Sequence, residues 1–531
     1  MSPFSLLPEA PKAGNSLEFV IPGNQDLQEI VASLQNSFSV RVHDETVCHR
    51  VFYDTFDWRL YNSGAVLEVH EGEGPNQRIY WRAGKEDELR IHPGLKHVPH
   101  FASELPPCEF QQQLQSAISV RELLPRINIK IKRLPLTIVD ANDKVVVRLN
   151  LDEYWFYPSK TRAGIVLGKR LTIKAVKGYR KAFEQVEAFF IPMDLPPAQD
   201  NMMKLALAES GKSTGEYTTK LNLFLDPDMP AEEALKEILS RLLEIIQQNT
   251  AGSIKGRDTE FMHDYRVAIR KTRSALTQIE NVLQPDIASR YNEFFSGLGK
   301  LTNPIRDHDV FMLKMESYEN GVEKSLRNDL QPLRTYLEES RATAQQKFIE
   351  TVKSAEYRQA INDWSEYLHN PDAADPRPDN AAVAVYKLAN KLIWDMYNLV
   401  LEEGNNINDD ADADALHELR KSCKKLRYLM EFFQSLYPAR RIRELIEALK
   451  GLQDNLGTYN DIDVHIGILN HFLEQCSDNN ASKACKKLIK HLEQNQVKTR
   501  SRFAAKYALF SSTENQDEFR ELFVTGHQEQ V

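Results

Sequence analysis

Cysteine is scarce. The five in 531 residues, at Cys48, Cys108, Cys423, Cys476 and Cys485, form neither a CxxC pair nor a closely spaced framework. That spacing argues against a disulfide-stapled module and fits a reducing compartment. No uninterrupted apolar run approaches the roughly 20 residues needed to cross a bilayer. The opening MSPFSLLPEAPKAG lacks a basic segment followed by a long apolar core, so a secretory leader is not expected. A general excess of positive charge is missing too. The 67 Lys and Arg against 76 Asp and Glu leave a net charge of -9, which excludes a uniformly basic nucleic-acid coat. No GxxxxGK[ST], GxSxG or GxGxxG element stands in a convincing strand-to-helix setting.

What the chain does contain is a duplication. HDYRVAIRKTR begins at His263 and HELRKSCKKLR at His417, both following His-x-x-Arg-x-x-x-basic-basic-x-Arg. Downstream of each lies Asp-x-Asp-Val, as Asp307, Asp309 and Val310 and as Asp461, Asp463 and Val464. One offset of 154 residues carries His263 to His417 and Asp307 to Asp461. A repeat at fixed offset marks a duplicated structural unit. Steps of three, four and three residues keep His263, Arg266, Arg270 and Arg273 on one side of a helix. Tyr265, Ala268, Ile269, Leu276, Ile279 and Leu283 form a separate apolar stripe, matched by Leu419, Ser422, Cys423, Met430, Phe433 and Tyr437. Each helix can thus pack while presenting cations elsewhere, and a polyanion would offset their mutual repulsion.

These motifs resemble the CHAD domain, the conserved histidine α-helical domain, from near Pro230 to near Phe510. The resemblance implies two pseudo-symmetric four-helix halves whose basic helices line a central groove or pore, and binding of inorganic polyphosphate. Carried onto this sequence, the binding residues are His263, Arg266, Arg270, Lys271 and Arg273 with His417, Arg420, Lys424, Lys425 and Arg427. Arg306, Lys347 and Arg502 are candidates for additional anion contacts. Asp307, Asp309, Asp461 and Asp463 have two readings, a divalent ion bridging phosphates or carboxylates that hold basic side chains in place; the second is easier to satisfy.

The chain ahead of the duplication is of another kind. Runs such as HRVFYDT, GAVLEVH, QRIYWRAG, INIKIKR, VVVRLNLDEY and RLTIKAV read as strands bounded by turn residues. Val145, Val147, Leu149 and Leu151 alternate with Val146, Arg148, Asn150 and Asp152, the pattern of a sheet with one polar face. Helices are expected over Asp26 to Phe38 and Lys181 to Phe190, and a linker over 211–229.

The segment YDTFDWRLYNSGAVLEV from Tyr53, and the strand-Gly-helix order from Leu171 through Gly178 to Phe190, resemble a CYTH domain, the triphosphate tunnel fold. That resemblance implies an antiparallel barrel. Catalytic relatives open with Glu-x-Glu-x-Lys, whereas here Glu18 is followed by Val20 and Pro22. Thr172 and Lys174 stand where a second carboxylate pair is usual, and Glu68 and His70 where Arg is expected. Efficient Mg²⁺-dependent hydrolysis is therefore not expected. Arg78, Arg82, Arg126, Lys130, Lys132, Arg148 and Lys174 are candidate anion contacts of this part, or else its ordinary polar outer face.

The expected fold class is α+β. An antiparallel CYTH-like β-barrel domain occupies 1–210, and an all-α duplicated four-helix-bundle CHAD domain occupies 230–531, with repeats of about 230–380 and 381–531. The expected function is non-catalytic binding of inorganic polyphosphate, without cofactor, metal or membrane. The expected location is cytoplasmic, with polyphosphate granules. Two alternatives stand beside it. A metal-dependent triphosphate or polyphosphate hydrolase could use His263, Asp264, Asp307, His308, Asp309, His417 and Asp461, although Arg and Lys neighbours oppose a cation there. Nucleic acid is the weaker binding candidate, because the cationic side carries no aromatic platforms for bases.

Overall fold

The computed structural model describes residues 16–525 apart from 73–77, 84–89, 92–97, 159–162, 199–200, 212–213, 215–216, 220, 371–376 and 408–412. It divides into two compact units, Met1–Thr218 and Thr219–Val531.

The first unit is built on an antiparallel half-barrel sheet. Its strands are β1 (Ser16–Ile21), β2 (Val40–Val42), β3 (Thr46–Asp54), β4 (Ala65–Glu71), β5 (Arg78–Ala83), β6 (Arg90–Ile91), β7 (Leu124–Val139), β8 (Val145–Phe156) and β9 (Ile165–Ala175). They follow the order β1-β9-β8-β7-β3-β4-β5-β6, with β2 on β7. Among the described residues five helices accompany them: α1 (Leu27–Ser37), α2 (Arg59–Asn62), α3 (Glu109–Ile118), α4 (Arg180–Phe190) and α5 (Met202–Ser210).

Alternation decides which side of the sheet each residue takes. Leu136, Leu149, Leu151, Leu171 and Ile173 bury one face against Ile30, Val31 and Leu34 of α1 and Phe183, Val186 and Phe190 of α4. On that same outer side, Leu67, Val69, Ile79 and Trp81 receive Leu114 and Ile118 of α3. The inner side is also partly apolar, because Cys48, Phe52, Ile127, Ile129, Ile131 and Tyr154 pack on Met202, Met203, Ala206 and Leu207 of α5. The Tyr53–Asp54–Thr55 stretch has a structural role. Asp54 accepts from the amides of Thr55, Leu60 and Tyr61 at 2.7, 2.9 and 2.9 Å and so closes the turn into α2. Burial lifts its carboxyl to about 6, although those three amides favour the charged form.

Charges on the inner side neutralise one another. Arg133 Nε and Nη2 donate to the two oxygens of Asp152 at 2.8 Å each. Arg170 Nη1 donates to Glu18 Oε1 at 2.9 Å, and His70 Nε2 lies 3.1 Å from Glu68 Oε1. Because Asp152 is 1% exposed, removing its charge takes from the Arg133 guanidinium a buried, doubly bonded counter-ion. We expect Asp152→Asn to destabilise this unit by about 3–5 kcal/mol, as for other broken buried pairs. Denaturant unfolding followed by tryptophan fluorescence checks this, and a loss below about 1 kcal/mol would show the pair to be solvated.

The second unit is all helical: α6 (Ala231–Lys255), α7 (Thr259–Gln278), α8 (Pro285–Asn320), α9 (Gln331–Lys353), α10 (Ala355–His369), α11 (Val385–Asn405), α12 (Ala413–Phe433), α13 (Ala439–Gln475), α14 (Asn479–Ser501), α15 (Phe503–Phe510) and α16 (Thr513–Arg520). The offset of 154 carries the first residues of α6, α7 and α8, at 231, 259 and 285, onto those of α11, α12 and α13, at 385, 413 and 439. The echo lapses at α14, which starts at 479 where the offset from Gln331 would give 485.

Among the described residues two apolar cores hold this unit. The larger joins α6, α7, α10, α11, α12, α15 and α16 to the first halves of α8 and α13, reaching Ile305 on α8 and Leu456 on α13. The smaller joins the far halves of α8 and α13, from Phe311 and Ile462, to Leu333 and Leu337 of α9 and Leu488 and Leu492 of α14. Between Ile305 and Phe311 the sequence is Arg-Asp-His-Asp-Val. Both Asp-x-Asp motifs therefore lie at the seam between the cores.

Candidate functional site

Helices α7 and α12 pack against each other, one from each repeat. Every residue of the two expected apolar stripes is buried, from Tyr265 at 0% to Leu276 at 7% exposed. Turning those stripes inward leaves His263, Arg266, Arg270 and Arg273 half-buried on α7, and Arg420, Lys424 and Arg427 half-buried on α12.

The cations fall into two kinds. Arg266 is tied to α8: Nη1 donates to the Gly299 carbonyl at 3.2 Å and to Thr302 Oγ1 at 2.8 Å, and Nη2 to Asn303 Oδ1 at 2.8 Å. Burial, then repulsion by Arg270, lowers its guanidinium to about 10. Arg270, Arg273, Arg420 and Lys424 have no hydrogen bond or ion pair among the described residues, and the buried Nε atoms of the three arginines are unpartnered. Gly299 leaves space beside Arg273, whose Nη1 would stand 3.7 Å from a Cβ placed there.

The unpaired group crosses the pseudo-symmetry. Burial and then the positive charges of Arg270, Arg420 and Arg427 push the Lys424 ammonium down to about 6, with Asp461 the opposing influence. Burial lowers Arg420 as well; Asp461 works against this and Arg270 reinforces it. A cation of the first repeat thus acts on two of the second. This arrangement presents several donors and positive charges that form no ion pair among the described residues, which is what an extended anion requires.

Other expected residues are placed elsewhere. Lys271 is 8% exposed and its Nζ is 2.8 Å from Glu431 of α12, while Arg427 Nε lies 3.4 Å from the same carboxylate. Lys425 is exposed on the far side of α12. Arg306 is half-buried with an unpartnered Nη1, whereas Lys347 and Arg502 are exposed with no bond to the cluster among the described residues. His417 Nδ1 lies 3.1 Å from Asn460 Oδ1, and His308 Nδ1 donates to the Pro304 carbonyl one turn earlier.

The carboxylates hold partners that sequence spacing does not indicate. Arg341 Nε of α9 donates to Asp309, and its Nη2 to the Gly256 carbonyl at 2.9 Å. Asp461 receives Lys314 Nζ at 3.1 Å, and Asp463 is exposed with Gln496 Nε2 at 3.5 Å. Asp307 is raised by burial against the pull of Arg266, and the negative charge of Asp461 raises it further. Arg341, Lys314 and Glu431 were missed by sequence reasoning. Only Glu431 left a signal, four residues after Arg427. Among the described residues no three His, Cys, Asp or Glu side chains converge as metal ligands.

In the first unit, register decides the fate of the other candidates. Lys130 and Lys132 pair with Trp155 and Glu153 and share the outer side with Leu134 and Leu151. Of the two readings left open for them, this placement is the outer face. Arg148 and Lys174 are exposed on the inner side. Arg82 lies there too, with its Nη2 at 3.8 Å from Glu68. Arg126 sits over the Trp58 ring at 4.3 Å, and the Arg78 side chain lies outside the described residues.

Fold and site together define a duplicated helical domain with a cationic seam. Residues 237–470 match the family model of the CHAD domain, so the second unit carries a CHAD domain over that span. No curated protein matches the chain. Among solved structures, the CHAD domain from the plant Ricinus communis is similar at 24% identity over 56% of this chain and 98% of its own, with a TM-score of 0.47. PptA from Streptomyces chartreusis is similar at 13% identity over 52% of this chain and 99% of its own, with a TM-score of 0.42. A Hippeastrum protein described as an adenylyl cyclase with a dominant triphosphatase activity is similar at 12% identity over 37% of this chain and 96% of its own, with a TM-score of 0.25. No helix among the described residues is long and apolar enough to cross a membrane.

The Lys271–Glu431 pair joins the two basic helices, so it should stabilise the CHAD domain. In a double-mutant cycle with Lys271→Met and Glu431→Gln, we expect a coupling of about 1–3 kcal/mol in denaturant unfolding. A coupling near zero would show that the pair does not link the repeats.

Proposed function

We propose that the second unit binds inorganic polyphosphate along the α7–α12 seam without covalent chemistry. The observation that carries the reading is the convergence of Arg270, Arg420 and Lys424, from both repeats, with no ion pair to any of them among the described residues. Arg266, Arg273, Arg427 and Arg306 extend this positive seam, with His263 and His417 at its head. Lys271 and Lys425 contribute to its field without lying in it. Asp307, Asp309, Asp461 and Asp463 serve as supporting carboxylates. Anionic oxygens would supply what the unpartnered guanidinium groups lack, and a chain of phosphates can meet several at once. Nucleic acid fits less well, since Tyr265 and Tyr428 beside the cations are 0% and 3% exposed and offer bases no open ring.

In this reading residues 1–210 are a degenerate CYTH-like domain, 211–229 a linker, and 230–531 the binding domain. Efficient Mg²⁺-dependent triphosphate hydrolysis by the first unit is not part of it, because Glu18, Asp152 and Glu68 are occupied by Arg170, Arg133 and His70 while α5 fills much of the inner face. We place the protein in the cytoplasm, alongside polyphosphate granules.

If both repeats face one anion, Arg266→Ala/Arg270→Ala and Arg420→Ala/Lys424→Ala should weaken long-chain polyphosphate binding to similar extents. Each double variant should also flatten the slope of log affinity against log salt by roughly one to two units, taking nucleic-acid values as the guide. Titration of the full chain at several salt concentrations checks this, with single-stranded DNA as competitor and circular dichroism as the control for folding. Unchanged affinity in either double variant would refute a shared seam, and equal or tighter binding of DNA would favour the nucleic-acid alternative.

A further inference from the structure

The two repeats differ at the position that matters most electrically. The offset of 154 places Lys424 where the first repeat has Arg270. A guanidinium keeps its proton throughout the accessible pH range, whereas a buried ammonium can release it. Resting on the polyphosphate reading, we propose that Lys424 is the proton-linked residue of the seam, so that binding a polyphosphate chain draws a proton from solvent onto its amine.

The surroundings of Lys424 support this from each neighbouring helix. On α12 itself Arg420 and Arg427 flank it one turn away on either side, and α7 contributes Arg270. The carboxylate that reaches it, Asp461 of α13, is already engaged by Lys314 at 3.1 Å. The negative charge of that same carboxylate also acts on Asp307 of α8. Glu431 is held by Lys271 at 2.8 Å. On the packed side, Glu403 of α11 is bonded to Ser422 at 3.0 Å. Three positive neighbours, burial and a committed counter-ion make the neutral amine the favoured form of the free protein near neutrality, in keeping with its depression to about 6. A row of phosphates reverses two of these influences, since it screens the neighbouring cations and adds negative charge beside the amine.

The sign of the linkage follows. The amine has a higher pKa in the complex than in the free protein, so affinity is greatest below about 6, where the free protein already carries the proton. It falls as pH rises above that value, by up to about tenfold per unit while a full proton is taken up. Arg266, depressed to about 10, stays charged below pH 9 and does not share in the change.

The experiment is calorimetric titration of the full chain with long-chain polyphosphate, whose internal phosphates hold their charge over this range, at constant ionic strength between pH 6 and pH 9. We expect at least about a tenfold loss of affinity from pH 7 to pH 9, and at pH 7.5 a binding heat that changes with buffer ionisation enthalpy in the sense of proton uptake. Lys424→Arg, if folded, should bind with a much flatter pH profile. The buffer-dependent heat of the unmodified protein tests the proposal even if that variant does not fold. Binding that is flat from pH 6 to pH 9, with no buffer-dependent heat, overturns the proton linkage and leaves polyphosphate binding intact. A retained pH dependence in folded Lys424→Arg overturns the assignment to Lys424, and absence of binding at pH 6 overturns the binding reading itself.

Discussion

Everything about the helical unit turns on keeping positive charges of two repeats together without neutralising them. Like charges repel by about 4 kcal/mol at 4 Å under an effective dielectric of 20, so Arg270 and Arg420 oppose the packing of α7 on α12, and Lys424 joins them whenever it carries its proton. What overcomes them is apolar burial on both sides. The larger core grips the two helices from behind, and the smaller one joins the far ends of α8 and α13 beyond the seam. Lys271–Glu431 adds an attractive link between the same two helices. The strain is therefore confined to one polar layer, where a bound anion would relieve it.

That layer separates cations that build the site from cations left available. Arg341 closes on Asp309 and the end of α6, and Lys314 closes on Asp461, so the Asp-x-Asp motifs fix the walls. Arg266 is anchored to α8 by neutral acceptors, which orient its guanidinium without cancelling its charge. Had the four aspartates paired with Arg270, Arg420 and Lys424 instead, the seam would be electrically closed. The first unit illustrates that outcome, since Arg133 and Arg170 are matched there by Asp152 and Glu18.

Much of this was legible from periodicity. Spacings of three and four separated the apolar from the cationic side of α7 and α12, and one offset carried the helix starts of the first repeat onto the second. Alternation likewise assigned the β8 side chains. Contacts made through space were not legible. Nothing in the spacing of Arg341 or Lys314 ties them to motifs on other helices, and the packing of Met202 and Met203 on the inner side of the sheet depends on where α5 folds back. Lys271 shows the limit of carrying residues over by resemblance. It directly follows Arg270, yet one step of about 100° turns it into an interhelical ion pair.

The duplication keeps geometry more faithfully than charge. Arg306 becomes Asn460, which contacts His417; Asp309 with Arg341 becomes an exposed Asp463 with Gln496; and Thr277 stands where the second repeat has Glu431. Each exchange removes or adds charge on one side only. A seam that served merely to weld two halves would gain from making these pairs alike and complementary. Instead the unpaired positions stay cationic in both copies while their surroundings diverge. The constraint common to the two repeats is thus the positive seam itself, and the neighbouring pairs are free to differ so long as they do not close it.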